Sequence, residues 1–197
     1  MTTTRLTLLR HAPTPAVRAG AFPRDEALDE RGTAAASAAG DRLARADAVW
    51  TAPEARARQT ARAAGLAATV EPALRDLDVG RWQGMALGAI EPDALRAWYD
   101  DAACAPHGGE PLAALVERVG AWLRDRAGDG TRTLAVTHAA VIRAAVVSVL
   151  DAPAAAFWRV DVAPLSRTVL HAHDGTWSVR AVNVGIAEEC TAVTTCN

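Results

Sequence analysis

Two apolar, strand-like runs in this chain each end in a histidine, and this pairing constrains the fold more than any other feature. Leu6-Thr7-Leu8-Leu9 leads into Arg10-His11-Ala12, and Thr133-Leu134-Ala135-Val136 leads into Thr137-His138-Ala139. In an open α/β sheet, ligands bind in the crevice beyond the carboxyl ends of the strands. If the two strands are neighbours, His11 and His138 meet over one crevice and Arg10 arrives with them. Two imidazoles beside guanidinium groups suit a phosphoryl group. One ring can attack phosphorus while the other cations can hold its oxygens.

Around these ends the pattern alternates strand and helix. Residues 5–10 predict a first strand, and Pro13, Pro15, Gly20 and Pro23 an irregular loop long enough to help form a site. Residues 29–45 are Ala-rich and predict a helix, and 48–50 a short strand. Thr51 or Ala52 with Pro53 predicts the capped start of a helix running to about Ala64. A strand is expected over 68–71, then a glycine-marked excursion from Pro72 to Glu91, then a helix over 91–100. After Gly108-Gly109, Leu112, Leu115, Val116, Val119, Trp122 and Leu123 keep a helical period. The second key strand spans 132–137, followed by a buried helix over 139–149. Strands are expected at 158–162, 167–172 and 177–184, with Asp174-Gly175 as a hairpin turn. The expected fold class is α/β: a three-layer sandwich, with a mostly parallel mixed central sheet and helices on both faces. Residues 1–187 are expected to form one domain, and 188–197 a polar tail.

Composition excludes several classes. The net charge of −2 lacks the basic excess of a nucleic-acid binder. All 21 cationic residues are arginine, so no Schiff base or P-loop lysine is available. Cys104, Cys190 and Cys196 cannot all pair with one another and show no zinc-finger spacing; Cys190 and Cys196 are able to bridge within the tail, but a reduced tail in a cytoplasmic protein is the expectation. The apolar stretch at 6–9 is too short for a secretory leader. His138 and Arg143 interrupt the apolar run at 133–150, which predicts a buried strand and helix rather than a membrane span. Neither nucleic acid nor a membrane is an expected partner. The apolar second half permits a homodimer without requiring one.

Six segments, in order, resemble the motifs of the histidine phosphatase superfamily, the phosphoglycerate-mutase-like group. Leu9-Arg10-His11-Ala12 resembles its Arg-His-Gly signature, with Ala for Gly, and Leu28-Asp29-Glu30-Arg31-Gly32 its Leu-Thr-x-x-Gly element. Thr51-Ala52-Pro53-Glu54-Ala55-Arg56-Ala57-Arg58-Gln59-Thr60-Ala61 is similar to its Ser-Pro-x-x-Arg-Ala-x-x-Thr-Ala segment. Leu74-Arg75-Asp76-Leu77-Asp78-Val79-Gly80-Arg81-Trp82-Gln83-Gly84 resembles its Leu-x-Glu-x-x-x-Gly-x-Trp-x-Gly block. Gly108-Gly109-Glu110 and the turn from Val136 to Arg143 complete the series.

The resemblance implies that His11 attacks phosphorus and becomes a phosphohistidine, with Arg10, Arg56 and His138 on the phosphoryl oxygens. It implies neither a metal nor another cofactor. The attacking imidazole must be neutral, and adjacent arginines favour that form. Each preorganised donor is worth about 3–4 kcal/mol of barrier. Asp76 stands where the family block carries its general acid, but is one methylene shorter than Glu. Glu110 therefore remains the alternative acid, and Asp76 is also able to cap the following turn. Thr14, His107 and Trp82 are expected at the pocket. Arg143 reads as structural, one turn into a buried helix and able to pair with an acidic neighbour. His171 and His173 lack a third ligand and read as a solvated edge rather than a metal site.

The expected function is that of a metal-independent phosphomonoesterase acting on a small phosphorylated metabolite through His11. A phosphoglycerate-type mutase is the alternative within the family, but Pro13 and Val17 replace the Glu and Asn of the mutase motif. A non-hydrolytic, phosphate-binding or repurposed member of the fold is the other. The intact set of Arg10, His11, Arg56 and His138 argues against it. The Ala, Leu and Trp content of the loops expected to form the rim suggests a pocket with few phosphate-binding groups.

Overall fold

The computed structural model describes residues 3–186. The chain runs through β1 (Thr3–Arg10), α1 (Pro15–Arg18), α2 (Glu30–Gly40), β2 (Ala48–Thr51), α3 (Ala55–Ala63) and β3 (Thr69–Val70). It continues through α4 (Pro92–Asp100), α5 (Leu112–Arg126), β4 (Arg132–Thr137), α6 (Ala139–Val149), β5 (Arg167–His173) and β6 (Thr176–Val184). The tail with Cys190 and Cys196 lies outside the described residues.

The strands form one six-stranded sheet in the order β3-β2-β4-β1-β5-β6. β1 runs parallel to β4 in a register that sets Arg10 opposite Thr137, and β2 runs parallel to β4 and β3. β5 pairs antiparallel with both β1 and β6, which makes the sheet mixed. Leu6, Leu8 and Leu9 of β1 and Leu134, Ala135 and Val136 of β4 are buried, as expected of central strands covered on both faces. α2 packs with α3, and α5 with α6, giving a helical layer on each side. The result is the expected three-layer α/β fold. Among the described residues no helix is long and apolar enough to cross a membrane.

Four local expectations are corrected. The helix expected over 29–45 stops at Gly40, where the backbone passes so close to Ala64 that a Cβ would collide with the Ala64 carbonyl. The cap of α3 is Glu54 rather than Thr51 or Ala52, because Thr51 is still paired in β2. Residues 158–162 do not form a strand: Ala154–Arg159 is a 3-10 turn entered from Pro153, with Phe157 buried beneath it. β5 is an inner strand rather than an edge. His171 is therefore half-buried, while exposed His173 lies beside Asp174.

Asp174 and Gly175 both take positive φ, the geometry of a tight hairpin turn. Gly109 is required by close approach, since a Cβ there would meet the Asp78 carbonyl. At that contact Glu110 N–H donates to Asp78 O at 2.8 Å.

Candidate active site

The parallel register of β1 and β4 carries both histidines past the sheet's edge side by side. His11 N–H donates to Thr137 O at 2.8 Å, and the His11 and His138 rings lie 5.2 Å apart. Both rings are buried. His11 Nδ1 is 2.7 Å from the Ala12 carbonyl, which can only accept. Nδ1 therefore carries the proton, and the Nε2 lone pair is left free to attack. Burial, His138 and Arg56 together hold the imidazole well below its ordinary pKa and keep the ring neutral.

His138 is gripped from the far side. Its Nε2 is 2.7 Å from Glu54 Oε2, and Glu54 Oε1 accepts the Asp76 backbone N–H at 3.0 Å. This explains why Glu54, although it caps α3, makes no capping bond with its side chain. The motif reading missed Glu54. The available signal was a carboxylate two residues before Arg56, on the strand-to-helix turn beside β4.

Asp76 stands between the two halves of the site. Its Oδ2 takes Arg56 Nη2 at 2.6 Å and lies 3.3 Å from His138 Nδ1, while Oδ1 accepts Leu77 N–H at 2.9 Å. Burial pushes its carboxyl up, but His138 and Arg56 outweigh that and lower it to about 2. Asp76 is thus an anion in this arrangement as well as a cap for the next residue. Arg56 is itself buried, and its Nη1 is fixed on the Arg24 carbonyl at 2.9 Å. Arg10 reaches Val162 O through Nη1.

Two cavities meet at Asp76. One, of about 300 Å³, holds His11 and Arg10 at its floor, with Phe22, Leu77, Val79, Trp98, Phe157 and Trp158 in its walls. The other, of about 450 Å³, is lined by Glu54, Arg56 and Arg75 among others.

The remaining expected residues lie elsewhere. Glu110 is bound at both oxygens by Arg118, at 2.9 and 2.8 Å, with Arg75 at 3.2 Å, and lines neither cavity. Thr14 is buried as the cap of α1, accepting Val17 N–H. His107 latches its own loop by accepting Gly109 N–H on Nδ1, with its ring 5.1 Å from Trp82. Trp82 lies one layer behind the wall, packed on Phe22 and Trp98 at 5.6 and 5.4 Å. Arg143 is tied to the Val160 carbonyl at 2.7 Å, as a structural residue would be, but the acidic partner that it was able to take is absent among the described residues. Arg143 lines the His11 cavity and has no ion pair among the described residues.

Comparison with known proteins bears on the fold and the family. The model of the histidine phosphatase superfamily (branch 1) matches residues 6–185. A glucosyl-3-phosphoglycerate phosphatase of Mycolicibacterium vanbaalenii is 31% identical over 170 residues, covering 76% of this chain and 75% of that protein. A mycobacterial glucosyl-3-phosphoglycerate phosphatase solved with VO3 superposes with a TM-score of 0.80 at 27% identity, over 92% of this chain and 99% of that one. An Entamoeba histolytica phosphoserine phosphatase, solved as a mutant in complex with phosphoserine, reaches a TM-score of 0.83. The match covers 91% of this chain and 96% of that one, and at 18% identity the likeness is one of fold.

Proposed function

The chain belongs to the histidine phosphatase superfamily, and from that premise we propose that it hydrolyses a small phosphomonoester through a phosphohistidine on His11, without a metal. One observation carries the reading: His11 has its Nδ1 proton tied to a carbonyl and its ring 5.2 Å from His138, with Arg10 beside it in the same cavity. Arg10, Arg56 and His138 supply the positive charge that magnesium supplies in many kinases.

In the first half-reaction His11 Nε2 bonds to phosphorus as the bond to the leaving alcohol breaks. The electron pair stays on the alcohol oxygen, which takes a proton from the His138–Asp76 pair. The incoming phosphoryl dianion replaces Asp76 as the partner of Arg56, and its charge raises the Asp76 pKa so that the carboxyl can carry that proton. Water then attacks the phosphohistidine. Its proton returns to the pair, the P–N bond breaks, and phosphate leaves with His11 neutral again. Glu54 keeps His138 in place throughout. Val17, apolar and in the cavity wall, favours water over a retained phosphoglycerate as acceptor.

Phosphate release from 4-nitrophenyl phosphate at pH 5–8 with EDTA tests this in the wild type and in His11→Ala. The expected result is turnover that survives the chelator and falls about a thousandfold or more in the variant. Turnover that persists in His11→Ala overturns the reading.

A further inference from the structure

The His11 cavity is polar only at its phosphate end. Beyond Arg10, His11 and Asp76, its other lining side chains are apolar except for Arg143. The wall is an aromatic stack built before any ligand arrives: Trp98 and Trp158 lie 4.6 Å apart edge to face, and Phe157 lies 4.9 Å from Trp158. Among the described residues, no hydroxyl, amide or second carboxylate faces this space. A sugar placed here would leave hydroxyls without partners, each costing about tenfold in affinity. A flat apolar group would lose nothing and gain ring contacts.

Among the described residues lining the cavity, Arg143 supplies the one additional polar recognition element. Its Nε donates to Val160 O at 2.7 Å, and its guanidinium carbon lies 5.6 Å from the Phe157 ring, so the group is held. Its terminal nitrogens make no hydrogen bond to the described residues. The nearby carboxylate, Asp161, already accepts from Val162 N–H at 2.8 Å and Asn183 Nδ2 at 3.3 Å. Arg10 is close enough to Arg143 for the two positive charges to repel, which favours an anion at Arg143. A held guanidinium with free donors in an apolar cavity is a seat for a planar anion.

We propose that the substrate is the phosphomonoester of an aromatic or similarly flat apolar alcohol that carries a carboxylate, with the ring against Trp98 and Trp158 and the carboxylate on Arg143. This rests on the phosphatase reading above and names its substrate class.

The test compares three primary alkyl phosphates of similar leaving-group reactivity: 4-carboxybenzyl phosphate, benzyl phosphate and glucose 6-phosphate. The kcat/KM is expected to fall about tenfold at each step in that order. In Arg143→Met the ratio of the first to the second is expected to drop to about one. If that variant does not fold, 4-(hydroxymethyl)benzoate is expected to inhibit the wild type at least tenfold better than benzyl alcohol. Glucose 6-phosphate equalling benzyl phosphate would overturn the proposal, as would an unchanged ratio in the variant or equal inhibition by the two alcohols. Loss of His11-dependent release from 4-nitrophenyl phosphate would instead overturn the phosphatase reading itself.

Discussion

Glu54 Oε2 sits 2.7 Å from His138 Nε2, a carboxylate on the strand-to-helix turn after β2 clamping an imidazole at the end of β4. The clamp turns the second ring toward the first and makes Nε2 the protonated nitrogen, because an ionised carboxylate can only accept. Burial raises the Glu54 pKa, but the bond and charge of His138 lower it further, so Glu54 remains an anion.

Removing this clamp should slow chemistry more than binding. A hydrogen bond to a charged group contributes about 1.5–3 kcal/mol, or roughly 10- to 100-fold in rate. Glu54→Ala is expected to lower kcat within that range, with KM changed less and Glu54→Asp recovering part of the loss. Steady-state kinetics on 4-nitrophenyl phosphate checks it, and an unchanged kcat would refute the clamp.

The pH profile follows from His11. In the proposed mechanism its neutral form is the nucleophile, and burial with His138 and Arg56 nearby sets its pKa well below 6.5. The neutral ring therefore persists into acid. The limb of kcat/KM that His11 sets is expected below pH 6.5, and a His11-dependent limb above that value would contradict the environment described.

Asp76 links stability to pH with a definite sign. Its folded pKa is lowered to about 2, against about 3.9 for an unfolded chain. Its contribution is present above pH ~4 and is lost as pH falls toward ~2. Urea midpoints should drop more between pH 5 and pH 3 in the wild type than in Asp76→Asn. Equal drops would show that Asp76 is not the group responsible.

Arg56→Met should cost stability as well as activity. Arg56 Nη2 holds Asp76 at 2.6 Å with side chains 3% and 18% exposed, and removing one partner of such a pair costs about 3–5 kcal/mol. Chemical denaturation is expected to show that loss. Asp76→Asn in the same background should restore part of it by removing the orphaned charge.

Gly109→Ala should be destabilising although Gly109 has no catalytic contact. The new Cβ would strike the Asp78 carbonyl, at a cost of about 1–3 kcal/mol and a lower Tm. Gly175→Ala is a different case: its site is open, and only its positive φ opposes the change.

Much of the fold was legible in the sequence because it is encoded locally. The run at 132–149 forms its strand and helix over the expected residues, since apolar continuity and the residues at its ends decide both. The meeting of His11 and His138 was also legible once the two strands were taken as neighbours. The 158–162 strand failed for the opposite reason. Its β-like residues have no strand to pair with, and burying Phe157 in a 3-10 turn prevails.

The sequence by itself determined the layered α/β pattern and the two strand ends, because alternation and helical period are properties of neighbouring residues, and its resemblance to the superfamily marked His11 as the proposed nucleophile. Only the tertiary structure decided what those residues touch. Glu54 and His138 are 84 positions apart, and Arg56 and Asp76 are 20. Glu110 is held by Arg118 away from both cavities, and Arg143 lines a cavity instead of pairing with a carboxylate. Such pairings act over about 3 Å, so they are set by the placement of β4 between β2 and β1 and by how the loops pack over those strand ends.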